Sequence, residues 1–214
     1  MKIRKECIPF LIPCLIAYLI MLKFSLALSA LFLALSIFVL YFFRDPDIII
    51  PENTDSLILA PAEGKIIVKS PVTEKEIETF NVPETSIKLS IFMTPLNVHV
   101  NRAPIAGELI KIQHHKGKKL PAYHEKASEE NEHMDFCVKN NNLSINFRLI
   151  AGLVAQRIVS FKKEQDIVSA GDRVGMIKFG SRVDIIIPEN YNILVNINDK
   201  VKAGGTILAE KNIP

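Results

Sequence analysis

The chain has 214 residues, room for one domain of ordinary size and an appendage, and 49% of them are hydrophobic, ample for a core. Its formal charge of +3 comes from 26 basic and 23 acidic residues. Lys2, Arg4, Lys5 and Lys23 against Glu6 place the whole excess before residue 44, and the remainder balances at 22 and 22, so nothing points to a nucleic-acid partner. Cys7, Cys14 and Cys137 make no disulfide framework, and no C-x-x-C or H-x-x-x-H pair suggests a metal site.

From Cys7 to Phe43 the only charged residue is Lys23, and this run is long enough for membrane insertion. Residues 1–43 are therefore expected to be a membrane anchor with a transmembrane helical segment. Residues 24–43 make the better single span, because 7–22 is short and carries Pro9 and Pro13. A short helical hairpin with Lys23 near its turn is the preferred arrangement. Lys2, Arg4, Lys5 and Arg44 then favour the cytoplasmic side for both ends, placing the following domain on the cytoplasmic face of the cell membrane. A single span would place that domain outside the cytoplasm. Cleavage of a signal peptide near Ser25, Ala27 and Ser29 would leave the strongly apolar stretch 31–43 at the new terminus, which argues against it. Cys14 follows Leu11-Ile12-Pro13, which lacks the small residues expected before a lipidated cysteine.

Residues 44–54, with Pro46 and Pro51, read as a linker, and 55–214 as one mainly β domain. Short Ile- and Val-rich runs recur there: S-L-I-L-A, K-I-I-V-K, S-I-K-L-S-I-F, E-L-I-K-I, L-S-I-N-F-R-L-I, R-V-D-I-I-I and N-I-L-V-N-I. Asn140-Asn141-Asn142 marks a hairpin turn, and 119–133 a helix or an ordered irregular loop. The segments 166–177 and 199–209 share V-x-A-G followed by an apolar strand, with P-A-E-G at 61–64 as a related turn. Such turns suit a lipoyl-like or hybrid barrel-sandwich fold, with positive φ at Gly171 and Gly204.

The run R-V-G-M-I-K-F-G-S-R-V-D at 173–184 places a Gly180-Ser181 bond between two strand-like segments. A serine hydroxyl can attack the preceding carbonyl, and glycine leaves that carbonyl uncrowded and tolerates a strained backbone. Subsequent elimination would break the chain into 1–180 and 181–214 and turn Ser181 into a pyruvoyl group. Its ketone can form a Schiff base with a substrate amine and draw electrons from it, which suits amino-acid decarboxylation.

This run resembles the processing motif of the phosphatidylserine decarboxylase family in its short, membrane-anchored form, which includes archaetidylserine decarboxylases. F-F-R-D-P at 42–46, F-M-T-P-L-N-V-H-V-N-R at 92–102, K-A-S-E-E-N-E at 126–132 and A-G-L-V-A-Q-R-I-V at 151–159 extend the resemblance over nearly the whole chain. It implies a serine phospholipid substrate, an ethanolamine phospholipid product, a covalent pyruvoyl cofactor derived from Ser181, and at least a dimer. His99 is the candidate acid that protonates the substrate carbon after carbon dioxide leaves. Longer bacterial members carry H-x-x-H here, and use the second histidine with an aspartate to activate the processing serine. This chain has Arg102 and Glu63 at those places, so Glu63 would act directly or through His99. Arg102 would either hold the substrate carboxylate or phosphate, or anchor Glu63. H-H-K-G-K-K at 114–119 offers Lys116 and Lys118 to a lipid phosphate, and the resemblance implies a role near the site for Asn131 and Glu132.

Two other readings compete. A non-enzymatic, membrane-tethered lipoyl-like binding module would not self-cleave; its expected lysine at a hairpin tip has only a partial echo in D-K-V at Lys200. A pyruvoyl enzyme for a free amino acid would have no use for the apolar anchor.

Overall fold

The computed structural model describes residues 2–118, 120–124, 127–141, 143–153, 157–178 and 181–212. It divides into two compact units, Met1–Asp47 and Ile48–Pro214. In the first, β1 (Lys2–Ile3) leads through a 3-10 turn into α1 (Ile8–Met21), then α2 (Leu26–Phe42) and β2 (Arg44–Asp45), which pairs with β1. Pro9 sits in the first turn of α1, where its missing N–H is no loss, and the Ser25 hydroxyl accepts from Leu28 N at 3.4 Å to cap α2. The helices pack together as a hairpin.

Its dimensions correct the expected transmembrane segment. Among the described residues no helix is long and apolar enough to cross a membrane. The turn around Lys23 divides the apolar run into helices of 14 and 17 residues. At 1.5 Å per residue they reach about 21 and about 26 Å, against a hydrocarbon core of about 30 Å.

The second unit is mainly β. It opens with β3 (Leu57–Leu59), β4 (Gly64–Pro71), α3 (Glu74–Phe80), β5 (Ile87–Met93), β6 (Val100–Arg102) and β7 (Gly107–His115). The short α4 (Ala127–Glu130) precedes β8 (His133–Lys139), β9 (Ser144–Ala151), β10 (Arg157–Ser160) and β11 (Ile167–Val168). Then come β12 (Arg173–Lys178), β13 (Ser181–Ile187), β14 (Tyr191–Ile193), β15 (Lys200–Val201) and β16 (Ile207–Lys211). An eight-stranded antiparallel sheet runs β11-β7-β8-β9-β13-β5-β4-β15, with three-stranded sheets β10-β12-β6 and β14-β16-β3. The core joins alternate residues of these strands, among them Leu89, Ile91, Phe136, Phe147, Val183 and Ile185.

An internal duplication organises this unit. A-P-A-E-G at 60–64 and A-P-I-A-G at 103–107 occupy matching places, because Leu59 N donates to Pro104 O at 2.9 Å and Arg102 N to Pro61 O at 2.8 Å. The V-x-A-G turns complete the match: Gly204 N donates to Ala60 O at 2.8 Å and Gly171 N to Ala103 O at 2.9 Å. Both glycines have positive φ, 81° at Gly171 and 70° at Gly204, as the sequence repeat predicts. Their pairings correspond as well, Val168 opposite Gly107 and Val201 opposite Gly64, and each copy has a bulge one strand on, between Arg173 and Gly175 and between Ile207 and Ala209.

Elsewhere the structure departs from the periodicity. α3 lies in a stretch to which the strand periodicity assigns no element, started by a capping box in which Thr73 and Glu76 satisfy each other's backbone N–H groups. N-I-L-V-N-I keeps a strand only to Ile193, and within 119–133 the described helix is the four residues of α4.

Candidate active site

Ser181 opens β13, in register with Met93 of β5 and Ala151 of β9. Alternation along the strand sends Ser181, Val183, Ile185 and Ile187 to the core face. Ser181 is fully buried, and its hydroxyl donates to the thioether of Met93 at 3.1 Å. Asn101 Nδ2 approaches the same sulfur at 3.9 Å from the three-stranded sheet, where Asn101 faces Gly175. Asn101 is also fully buried, and its Oδ1 meets no donor among the described residues. A buried amide oxygen left this way costs about 1–3 kcal/mol. Gly180 lies outside the described residues.

His99, two residues before Asn101, is buried, with Nδ1 3.0 Å from Asn97 O. A carbonyl only accepts, so Nδ1 carries the proton in this bond and Nε2 is the nitrogen whose protonation can change. Glu63 fastens the turn just before His99: its Oε1 accepts from Asn97 Nδ2 at 3.1 Å and from Val98 N at 3.2 Å. Asn97 Oδ1 accepts from Thr94 N and Oγ1, closing the same turn. Arg102 is buried and its Nη1 donates to Gly171 O at 2.8 Å, tying β6 to one of the duplicated turns.

Asn131 reaches the site through the backbone. Its Oδ1 accepts from Leu120 N at 2.8 Å, while Nδ2 donates to Leu120 O at 2.7 Å and to Ala151 O at 2.8 Å, and Ala151 is the partner of Ser181. Glu132 points elsewhere, to His114 Nε2 at 3.0 Å. Lys116 is exposed, and Lys118 pairs with Glu130 at 2.9 Å on the surface. Gly117 between them has no room for a side chain, since a Cβ there would collide with the backbone of Asn131. Three segments are thus linked: Asn101 and Ser181 meet at the Met93 sulfur, Glu63 bonds the turn just before His99, and Asn131 bonds Ala151, the strand partner of Ser181.

A second polar layer, not apparent from the strand pattern, lies on the opposite face of the eight-stranded sheet. Arg182 grips Asp184 through two bonds of 2.6 and 3.0 Å and donates to Ser90 Oγ; Ser128 Oγ donates to Asp184 at 2.7 Å. Arg148 takes both oxygens of Asp135 at 2.6 and 2.9 Å. Beside this pair the rings of His115 and His133 stack, 4.6 Å between centroids. Burial first, and then the Arg148 guanidinium, hold His133 below the usual histidine range. His115, His133 and Asp135 present ligand-type atoms within 4.8 Å of one another. A cation there would sit against the Arg148 guanidinium, which already neutralises the carboxylate, so the cluster is best described as a stacked imidazole pair beside a closed ion pair. A 620 Å³ cavity lined by Phe80, Cys137, Asn146 and Ile186 lies toward the far end of β13 from Ser181.

Comparison with known proteins agrees with the motif at 173–184. The family described as phosphatidylserine decarboxylase matches residues 35–209. A protein of Amoebophilus asiaticus named phosphatidylserine decarboxylase proenzyme is 45% identical over 177 residues, 82% of this chain and 76% of its own length. Proteins with the same name are 43% identical in Desulfotalea psychrophila, over 86% of this chain and 84% of theirs, and 37% identical in Chlorobium chlorochromatii, over 96% and 94%.

Proposed function

The chain belongs to the phosphatidylserine decarboxylase family, and from that premise we propose that it is a proenzyme which cleaves itself between Gly180 and Ser181 and then decarboxylates a serine phospholipid to its ethanolamine counterpart. The observation that carries the reading is the position of Ser181: first in a central strand, fully buried, with its hydroxyl turned into the core rather than toward solvent. Burial keeps bulk water away from the intact hydroxyl, so intramolecular attack meets little competition from hydrolysis before the chain is cut.

In the first step Ser181 Oγ bonds to the Gly180 carbonyl carbon, the Gly180–Ser181 amide bond breaks, and the hydroxyl proton passes to the amide nitrogen, leaving an ester. Loss of the Ser181 Cα proton then expels the Gly180 carboxylate as the Cβ–Oγ bond breaks. Water converts the remaining enamine to a ketone, releasing ammonia. The pyruvoyl group supplies an electrophilic carbonyl that takes up the substrate amine and an electron pair as carbon dioxide departs. The residues fit such a group, because the start of β13 is fixed on both sides by Met93 and Ala151.

His99 delivers a proton from Nε2 to the substrate carbon, held in place by its Nδ1 bond to Asn97 O. Glu63 holds the turn that presents His99. Arg102 secures the duplicated turns through Gly171. Lys116 and Lys118, on an exposed loop, meet lipid phosphate. The domain follows the hybrid barrel-sandwich plan, in keeping with its duplicated V-x-A-G turns, and acts as a homo-oligomer.

The α1–α2 hairpin attaches the enzyme to the cytoplasmic face of the membrane without crossing it. Ile12, Ile16, Leu19, Leu26, Leu31 and Ile37 are exposed along its two helices, an apolar surface that suits partial burial in lipid.

The test is incubation of the purified protein with vesicles of phosphatidylserine or of its ether-linked archaeal analogue, with carbon dioxide and the amine lipid measured. Activity that hydroxylamine abolishes and Ser181→Ala lacks supports the reading. A cleaved protein inactive on both lipids would overturn the substrate assignment.

A further inference from the structure

The internal duplication matches Asn101 with Ile58, since Arg102 and Leu59 make equivalent bonds to Pro61 and Pro104. Ile58 is a fully buried member of the hydrophobic core, opposite Ala209 of β16. In the other copy the corresponding strand position carries an amide, equally buried, opposite Gly175. The fold therefore accepts an apolar residue at this place, yet the copy beside Ser181 has a polar one. Its amide is poorly served among the described residues, where Nδ2 meets the Met93 thioether, a weak acceptor, and Oδ1 meets no donor. The Ser181 hydroxyl is equally poorly served, donating to that same sulfur. Two donors thus converge on one weak acceptor while a strong acceptor stands idle next to them.

We infer that Asn101 is a positioning residue for self-cleavage, its amide oxygen taking the Ser181 hydroxyl proton as a hydrogen bond when the side chain turns toward Met93. The inference rests on the self-cleavage proposed above. A half-turn of the amide about its last torsion exchanges Oδ1 and Nδ2, putting the acceptor beside the sulfur and the serine hydroxyl. An amide is not a base and does not remove the proton. It fixes the hydroxyl rotor and leaves an Oγ lone pair free for attack on the preceding carbonyl; the proton later moves to the amide nitrogen that leaves. Groups kept unsatisfied in a folded core for this purpose give a recognisable signature, lower stability exchanged for function.

The experiment compares Asn101→Val with Asn101→Thr, which have nearly the same shape and differ in one hydroxyl. Cleavage of the full chain is followed by denaturing gel and intact mass, and thermal midpoints are taken on the same substitutions in the uncleavable Ser181→Ala chain. The expected result is cleavage slowed about a hundredfold in Asn101→Val, clearly faster cleavage in Asn101→Thr, and a midpoint for the valine chain equal to or above that of Ser181→Ala alone. Wild-type cleavage in Asn101→Val, equal slowing in both variants, or a valine chain that unfolds would each overturn the inference while leaving the self-cleavage reading intact. A wild-type chain that never cleaves would overturn that reading, and this inference with it.

Discussion

The side-chain amide of Asn131 donates to the carbonyl of Ala151 at 2.8 Å, and Ala151 is the residue that faces Ser181 across β9 and β13. One asparagine, 0% exposed, thereby joins Leu120 to the strand that pairs with Ser181. Asn131→Ala removes three hydrogen bonds at once. It is expected to lower stability by about 2–4 kcal/mol, at roughly 1 kcal/mol per bond and more for each buried group left unpaired, and to slow self-cleavage although the Asn131 bonds go to Leu120 and Ala151 rather than to the Ser181 hydroxyl. Urea unfolding and a cleavage time course on the same preparation check both effects.

His99→Ala should separate the two halves of the chemistry. With the acid absent, a chain that has been processed is expected to decarboxylate about a hundredfold or more slowly, with substrate binding largely retained. Single-turnover measurements on the processed fraction provide the check, and normal turnover there would remove His99 from the acid role.

The lowered pKa of His133 makes stability pH-dependent in one direction. Well above 6.5 the imidazole is neutral both folded and unfolded and contributes no slope. As the pH falls below that value the unfolded chain takes up the proton first, so stability declines until the folded pKa is also passed. His133→Gln in the Ser181→Ala chain should lose less of its urea midpoint between pH 7.5 and 5.5 than Ser181→Ala alone. An identical loss would show that other groups carry the dependence.

Attachment through the hairpin predicts that Ile16→Glu and Ile37→Glu, both at exposed positions, weaken flotation with vesicles. Two charges at the apolar surface should reduce bound protein about tenfold or more, with cleavage at Gly180-Ser181 unchanged. Undiminished flotation would move the attachment to another surface, such as the Lys116 loop.

Much of this architecture was legible in the chain, and the exceptions have physical causes. The V-x-A-G repeat announced its turns because positive φ favours glycine, and the run R-V-D-I-I-I announced β13. The Ala-Pro turns that complete the duplication share only A-P-x-x-G, with the chemically different A-E and I-A inside, so the repeat hides until Pro61 and Pro104 are seen exchanging bonds with Arg102 and Leu59. T-E-K-E at 73–76 is a capping-box signature that could have revealed α3. The polar layer was harder. Arg182, Asp184, Arg148 and Asp135 alternate with apolar residues as a solvated strand face would, yet they are buried, because each charge meets its partner on a neighbouring strand or two residues along its own. Strand alternation puts Asn101 on the same face as His99, but it is the contact with Met93 that connects it to Ser181.

Self-cleavage is read out by the intact mass of the purified chain under denaturing conditions, beside Ser181→Ala. The prediction is two chains divided after Gly180, the smaller lighter than residues 181–214 by the mass difference between an N-terminal serine and a pyruvoyl group, and a single chain in the mutant. One uncleaved wild-type chain in a fully folded sample would contradict the account.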